Sequence, residues 1–119
     1  MTTEQIANRL VELCRSGQFD QCYHELFHQN AVAHEMEGVP NGVTKGVDAL
    51  LAKSKAFAED MVEMHDFSVS DPVIAPGFFC VNMMIDLTKK SDGRQRAEEL
   101  CLYQVKEGKI VAERFFYEM

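Results

Sequence analysis

Residues 98–117 read EELCLYQVKEGKIVAERFFY and predict a long β-hairpin. Two runs rich in β-branched and aromatic residues flank Glu107-Gly108, where the chain is expected to turn. A two-residue loop would require positive φ at Glu107, whereas a three-residue loop requires it only at Gly108. We therefore predict the longer loop, with Val105 opposite Lys109.

This register divides the hairpin into two faces. One face carries Glu99, Cys101, Tyr103, Val111, Glu113, Phe115 and Tyr117, and the other carries Leu100, Leu102, Ala112, Arg114 and Phe116. Because both faces are substantially apolar, each is expected to be covered by other parts of the structure. A shift of the register by one residue would exchange the two faces.

The composition predicts a globular protein with one domain over residues 1–119. The hydrophobic fraction of 46% and the charged fraction of 26% are ordinary for such a domain. A net charge of −7 and a pI near 5.0 argue against binding to nucleic acid or to an anionic membrane surface, since both require clustered basic residues.

The four cysteines, Cys14, Cys22, Cys80 and Cys101, have no CxxC spacing. The N-terminus shows no secretory pattern, and no apolar run is long enough to span a membrane. We therefore expect a reduced, cytoplasmic protein.

The residues before the hairpin predict further elements. In order, these are a helix capped by Thr2 or Thr3 and ending at Ser16-Gly17, a second helix from Gln18 to Asn30, a strand over Ala31–Met36, and a third helix from Gly46 to Met61. From Val62 the hydrophobic period changes to two, which places His65 on the inner face of a strand. A strand from Phe78 to Thr88 then leads into the hairpin.

This order predicts an α+β domain, with a strongly curved, mostly antiparallel sheet wrapped around three helices. We expect a cavity between the sheet and the helices. The group Met61, Met64, Met83 and Met84 suits either an adaptable apolar ligand or an ordinary core.

Four short segments occur in an order typical of one superfamily: Gly17–Phe19, Asn30–Glu35, Gly46 and Glu107–Val111. Over essentially its whole length the chain resembles the SnoaL-like branch of the nuclear transport factor 2-like superfamily, which includes ketosteroid isomerases, polyketide cyclases and small epoxide hydrolases. The resemblance implies a cone-shaped, cystatin-like α+β barrel. Because the superfamily spans enzymes, ligand binders and interaction domains, it implies the fold and not the function.

The resemblance also implies roles for individual residues. Glu35 stands where ketosteroid isomerases have a catalytic aspartate that moves a proton next to a carbonyl. Leu10 and Cys101 stand at or near the positions of that family's oxyanion-hole tyrosine and protonated aspartate, so this part of its site is not kept. The same alignment turns Glu113, Phe115 and Tyr117 toward the pocket.

The candidate catalytic residues are Glu35 and His65, with Glu35 as proton acceptor and His65 as its partner. The candidate substrate-binding residues are Glu99, Cys101, Tyr103, Glu113, Phe115 and Tyr117. Tyr103 or Tyr117 would donate a hydrogen bond to a substrate oxygen. The alternative is that Glu35 and His65 only satisfy each other, or that one of them reaches solvent at the cavity mouth.

Two further patterns have ordinary structural explanations. His24-Glu25-Leu26-Phe27-His28 matches the HExxH zinc pattern, but it lies on the polar side of a short helix without an evident third ligand. Cys101 could act as a nucleophile with His65, although nearby carboxylates disfavour its thiolate. We predict no metal, no cofactor and a buried structural thiol.

The predicted function is binding of a small apolar or amphipathic molecule, with isomerase-type or cyclase-type catalysis that uses Glu35 as base. The alternative is a noncatalytic ligand-binding or dimeric interaction domain. The outer hairpin face, with Leu100, Leu102, Arg114 and Phe116, predicts a homodimer.

Overall fold

A computed structural model of the protein describes residues 1–118 as three helices and seven strands. In chain order the elements are α1 (Thr3–Arg15), α2 (Phe19–Leu26), β1 (Phe27–His34), β2 (Val43–Lys45), α3 (Val47–Asp60), β3 (Met61–Val69), β4 (Val73–Ala75), β5 (Phe78–Lys89), β6 (Gly93–Lys106) and β7 (Lys109–Phe116). Within these residues, no helix is long and apolar enough to cross a membrane.

The strands form one mixed sheet in the order β2-β1-β7-β6-β5-β3, with β4 paired to β5. The β1–β7 pair is parallel and the other pairs are antiparallel. The helices pack on one face of this sheet, so the predicted α+β fold is confirmed. Over residues 1–118 the sheet stays open between β2 and β3, and the predicted barrel is therefore incomplete.

The first helix begins as the sequence predicts. The Thr2 hydroxyl accepts a hydrogen bond from the backbone N–H of Gln5 at 3.1 Å, and the Gln5 side chain accepts one from the Thr2 N–H at 2.9 Å. This reciprocal pair satisfies two of the free N–H groups at the helix start. The buried face of α1 consists of Ile6, Ala7, Leu10, Val11, Leu13 and Cys14.

The second helix is shorter than predicted. It ends at Leu26, and β1 begins at Phe27, four residues before the predicted strand. The Phe27 ring is buried against Tyr23 and Tyr103, with ring centroids 4.8 and 6.4 Å away. Tertiary packing of this aromatic ring therefore outweighs the local helical pattern. The short strands β2 and β4 were not predicted, because three residues show no readable period.

The hairpin turn differs from the prediction, but the difference barely changes which side chains lie on each face of the hairpin. Glu107 and Gly108 form a two-residue loop with φ of 50° and 75°, and Lys106 pairs with Lys109. A register shift near Gln104 and Val105 then adds one residue to β7.

These two differences move the pairing by two residues, so that Glu113 lies opposite Tyr103 instead of Cys101. Because side chains alternate with a period of two, the inner and outer faces stay as predicted over most of the hairpin. The exception is Val111, which was predicted on the inner face. The fully buried Ile110 pairs with Val105 and takes the inner position instead.

Candidate functional site

A cavity of about 340 Å³ lies between the sheet and the helices. Its wall is mainly aromatic and aliphatic, and includes Phe19, Leu50, Phe57, Met64, Met83 and Ile85. Its polar groups include Glu35, Lys53, Ser54, Glu99 and Glu113. An apolar pocket of this size with a few convergent polar groups is typical of a small-molecule site.

A second depression of about 420 Å³ lies outside α1, between Arg15 and Pro72. Its polar side chains are exposed to solvent, and none of them has a buried or perturbed environment that favours chemistry. We therefore assign the candidate site to the cavity between sheet and helices.

Glu35 follows the end of β1 and lies at the cavity wall. Its backbone N–H donates to the carbonyl oxygen of Gly42 at 2.7 Å, which closes the loop between β1 and β2. Its Oε2 accepts a hydrogen bond from the Tyr117 hydroxyl at 3.0 Å, and its Oε1 lies 3.7 Å from Nζ of Lys53. Each carboxylate oxygen therefore has a partner, while the side chain stays partly accessible.

Glu113 lies deeper in the cavity, between Ala33 of β1 and Tyr103 of β6. Its relative exposure is 3%, and within residues 1–118 its carboxyl group makes no hydrogen bond or ion pair. Burial, followed by the nearby charge of Glu99, raises the pKa of Glu113 to about 8. This group is therefore mainly uncharged at neutral pH.

Glu99 and Cys101 are adjacent on the inner face of β6. Burial raises the pKa of Glu99, and the Cys101 thiol, which donates to Oε1 of Glu99 over 3.6 Å, opposes that shift. Burial and the charge of Glu99 raise the pKa of Cys101, so its thiol keeps its proton. Cys101 is fully buried and does not reach the cavity, which corrects its assignment as a substrate contact.

Of the predicted aromatic contacts, Tyr103 and Phe115 line the cavity. The Tyr103 ring is stacked on Phe79 at a centroid distance of 4.8 Å, which fixes its position. Tyr117 lies outside the lining and contacts Glu35 through its hydroxyl group. Tyr117 is therefore placed to orient Glu35, and not to make the predicted hydrogen bond to a substrate oxygen.

A profile of the SnoaL-like domain matches residues 1–117. The chain belongs to the SnoaL-like domain family. A comparison with curated protein sequences gives no significant match.

Three solved structures are similar to this SnoaL-like protein. A Mesorhizobium loti protein, proposed to be a SnoaL-like polyketide cyclase and also designated a carbohydrate phosphatase, is 33% identical, with a TM-score of 0.91 over 98% of this chain and 100% of that one. A protein proposed to be a SnoaL-like polyketide cyclase from Jannaschia sp. CCS1 is 12% identical, with a TM-score of 0.76 over 98% and 87%. A Xanthomonas campestris protein of unknown function with a cystatin-like fold is 15% identical, with a TM-score of 0.80 over 100% and 92%. The last two likenesses concern the fold alone.

His65 lies outside the cavity of this SnoaL-like protein, so its predicted place on the inner face is wrong. Met64 pairs with Leu87 and Asp66 pairs with Asp86, which leaves His65 as the extra residue of a β-bulge. Its Nε2 lies 2.7 Å from the Thr88 hydroxyl. The bulge shifts the alternation by one residue and gives the inner position to Met64. The predicted pair of Glu35 and His65 is therefore not formed.

The HExxH segment does not form the helical arrangement that the zinc pattern requires. Because α2 ends at Leu26, His24 lies on the helix and His28 lies on β1, and both are exposed. The Glu25 carboxylate binds the Arg9 guanidinium at 2.6 and 3.1 Å. Across residues 1–118, no group of three or more His, Cys, Asp or Glu side chains is arranged to hold a metal ion.

Lys53 is a charged residue of the candidate site that the sequence analysis did not identify. It follows Leu50 by three positions on α3, and both side chains line the cavity. Residues three apart share a helix face, so this spacing contained the signal. A lysine that interrupts an apolar helix face can indicate a positive charge directed at a carboxylate across a cavity.

Proposed function

We propose that this SnoaL-like protein binds a largely apolar small molecule in the cavity and transfers a proton on it, with Glu35 as the base. The observation that carries this proposal is the Glu35 carboxylate, held by Tyr117 at 3.0 Å on the wall of an apolar cavity of about 340 Å³. A positioned carboxylate in such an environment suits general base catalysis. Membership of the SnoaL-like family and the proposed cyclase activity of the Mesorhizobium loti protein support the same class of reaction.

The proposed reaction begins at a carbon next to a carbonyl group. Glu35 takes the proton from this carbon, the electron pair of the C–H bond forms a C=C bond to the carbonyl carbon, and the π electron pair of the C=O bond moves onto oxygen, which gives an enolate. Burial raises the pKa of Tyr103 well above its usual value, so its hydroxyl keeps its proton and can donate a hydrogen bond to this oxygen. Return of a proton to the same carbon gives hydrogen exchange, and in a β,γ-unsaturated carbonyl compound return of the proton from Glu35 to the γ-carbon of the dienolate moves the double bond and completes an isomerisation.

A noncatalytic ligand-binding domain is the second candidate function. The ion pair between Lys53 and Glu35, with 3.7 Å between Nζ and Oε1, favours it because this carboxylate oxygen is engaged by a cation and is less available to a substrate. In that case the cavity would bind its ligand without turnover.

Hydrogen exchange at carbon separates the two functions. A panel of apolar ketones is incubated with the protein in D2O, and loss of the α-hydrogen signal is followed by proton NMR. We expect exchange with the wild type and a loss of at least about 100-fold in Glu35→Gln, as for removal of a general base. Ketone binding without exchange, or exchange that is unchanged in Glu35→Gln, would overturn the catalytic role.

We also propose that a second copy of the chain covers the outer sheet face. Leu100 and Phe116 are directly opposite each other on β6 and β7, and each is 43% exposed. Phe78 on the neighbouring strand β5 is exposed to a similar extent. An exposed apolar patch on a sheet face is typical of an association surface.

A further inference from the structure

Glu113 places an unpartnered carboxyl group inside the cavity. Its exposure is 3%, it contributes to the cavity wall, and no residue of the described chain donates a hydrogen bond to it. Within residues 1–118 no fully buried side-chain oxygen or nitrogen atom lacks a hydrogen-bond partner, so the unpartnered carboxyl oxygens of Glu113 are accessible from the cavity and can accept a partner from a ligand there. The role of Glu35 as a base does not use this group.

The charge around Glu113 is unbalanced. Glu35, Glu99 and Glu113 all line the cavity, and Lys53 provides a single positive charge. That charge is directed at Glu35, at 3.7 Å, and the Lys53 side chain is 53% exposed. Lys53 forms its ion pair with Glu35, and its charge lowers the pKa values of Glu99 and Glu113 by less than burial raises them.

The titratable groups that face Glu113 confirm this imbalance. Those on the helices are Cys14, Cys22, Tyr23 and Lys53. Those on the sheet are Glu35, Glu99, Cys101 and Tyr103. Apart from Lys53, which is paired with Glu35, none of these groups can carry a positive charge, so the cavity offers an anionic ligand no free cation.

We propose that the ligand of this cavity carries a protonated amine on an apolar body, and that the ammonium group is held by Glu113 and Glu99. The rings of Tyr23 and Tyr103, both of which lie within the electrostatic influence of Glu113, also line the cavity and offer cation–π contacts. The apolar body would occupy the wall formed by Phe57, Met64 and Met83. This inference rests on the proposed function and names the class of its ligand.

Ammonium binding is coupled to the release of a proton. In the free protein Glu113 is mainly protonated at neutral pH, because its pKa is raised to about 8. The ammonium ion favours the carboxylate, so Glu113 releases its proton to the solvent as the pair forms. Below pH 8 the proton competes with the amine, and the amine affinity should rise by up to about tenfold per pH unit toward pH 8.

The test uses three probes with the same aromatic body: 2-(1-naphthyl)ethylamine, 2-(1-naphthyl)ethanol and 1-naphthylacetate. Their affinities for the wild type are measured by isothermal titration calorimetry at pH 7, in two buffers of different ionisation enthalpy. We expect the amine to bind at least about tenfold more tightly than the alcohol, with proton release to the buffer, and the carboxylate to bind most weakly. Equal affinity of amine and alcohol, or no amine binding at millimolar concentration, would overturn the proposal.

Glu113→Gln is the matched variant, because it keeps the shape and removes the charge. We expect it to lower the amine affinity about tenfold or more and to change the alcohol affinity by less than about twofold. If this variant does not fold, the wild-type pH profile decides: the amine affinity should rise between pH 6 and 8, and the alcohol affinity should stay flat. A flat amine profile would contradict the proposal.

Failure of this inference is separable from failure of the proposed function. The Glu35 test follows hydrogen exchange on ketones and does not require an amine. A protein that exchanges ketone α-hydrogens but does not prefer the naphthyl amine would keep Glu35 as base and lose the ammonium site. A protein that prefers the amine but exchanges no α-hydrogen would keep the ammonium site and lose Glu35 as base.

Discussion

The hydroxyl group of Tyr117 donates a hydrogen bond of 3.0 Å to Oε2 of Glu35. This contact joins the residue after β7 to the residue after β1, which are 82 positions apart in the chain. The Tyr117 backbone N–H also contacts Sδ of Met36 at 3.3 Å. The end of the described chain therefore holds the loop that carries the proposed base.

Tyr117→Phe should weaken this attachment. The substitution keeps the ring and removes the hydrogen bond, which should lower the free energy of unfolding by about 1 kcal/mol. Urea unfolding measures the change, and amide hydrogen exchange of residues 36–42 should become faster. Tyr23→Phe is the control, since the Tyr23 hydroxyl makes no side-chain hydrogen bond in residues 1–118. Equal losses in the two variants would contradict the role of the Glu35 contact.

Glu113→Gln should change how stability depends on pH. Because burial raises the pKa of Glu113 from 4.5 to about 8, the folded state binds a proton that the unfolded state has lost between these values. Glu113 therefore adds to the free energy of unfolding of the wild type below pH 4.5. This contribution falls by at most about 4 kcal/mol as the pH rises to 8. The glutamine variant lacks this loss, so its stability relative to wild type should increase with pH.

Urea unfolding at pH 5 and pH 8 measures this change, with exposed Glu37→Gln as the control. We expect the difference between Glu113→Gln and wild type to grow between the two pH values, while Glu37→Gln follows the wild type. The same difference at both pH values would show that the Glu113 carboxyl group has an ordinary pKa.

The sequence placed the hairpin residues of the cavity wall on the correct face because that placement depends on strand periodicity. Glu99, Glu113 and Phe115 lie on the predicted face, since a period of two survives a register error of two residues, whereas the assignment of Glu35 to the cavity came from the resemblance to ketosteroid isomerases. His65 was misplaced because a β-bulge adds one residue and reverses the alternation, and no feature of the local pattern marks it.

The turn was misjudged for an energetic reason. Positive φ at Glu107 costs stability, but the two-residue turn matches the twist of the strands better than a longer loop does. Phe27 was similarly assigned to the second helix from the local pattern. It begins β1 instead, where its contacts with Tyr23 and Tyr103 depend on the tertiary structure. Both errors arise where long-range packing outweighs local preference.

Glu107→Asn should stabilise the hairpin. Asparagine tolerates the left-handed conformation observed at this position, where φ is 50°, better than glutamate does. We expect a gain of about 0.5 kcal/mol in the free energy of unfolding. Lys106→Asn is the control, because Lys106 belongs to β6 and has no positive φ. A loss of stability in Glu107→Asn would show that the turn has another conformation in solution.

Met64→Ala and His65→Ala should separate the two faces of β3. Met64 lines the cavity, whereas the His65 ring contacts the Thr88 hydroxyl at 2.7 Å on the other side. Loss of the Met64 side chain should weaken binding of 2-(1-naphthyl)ethanol by about tenfold, and loss of the His65 side chain should leave it unchanged. Calorimetric titration compares the two variants. A larger effect in His65→Ala would place the bulge elsewhere and restore His65 to the inner face.

Leu100→Glu should convert the proposed dimer into a monomer. Leu100 and Phe116 face each other across β6 and β7, each 43% exposed, and a carboxylate at position 100 would lose its hydration against the apolar surface of a second copy. Light scattering at micromolar concentration should give a dimer for the wild type and a monomer for Leu100→Glu. Val62→Glu is the matched control, because Val62 is 62% exposed but lies on the edge strand β3, away from this patch. A monomeric wild type, or a Leu100→Glu variant that remains dimeric, would show that the outer face of β6 and β7 is not the association surface.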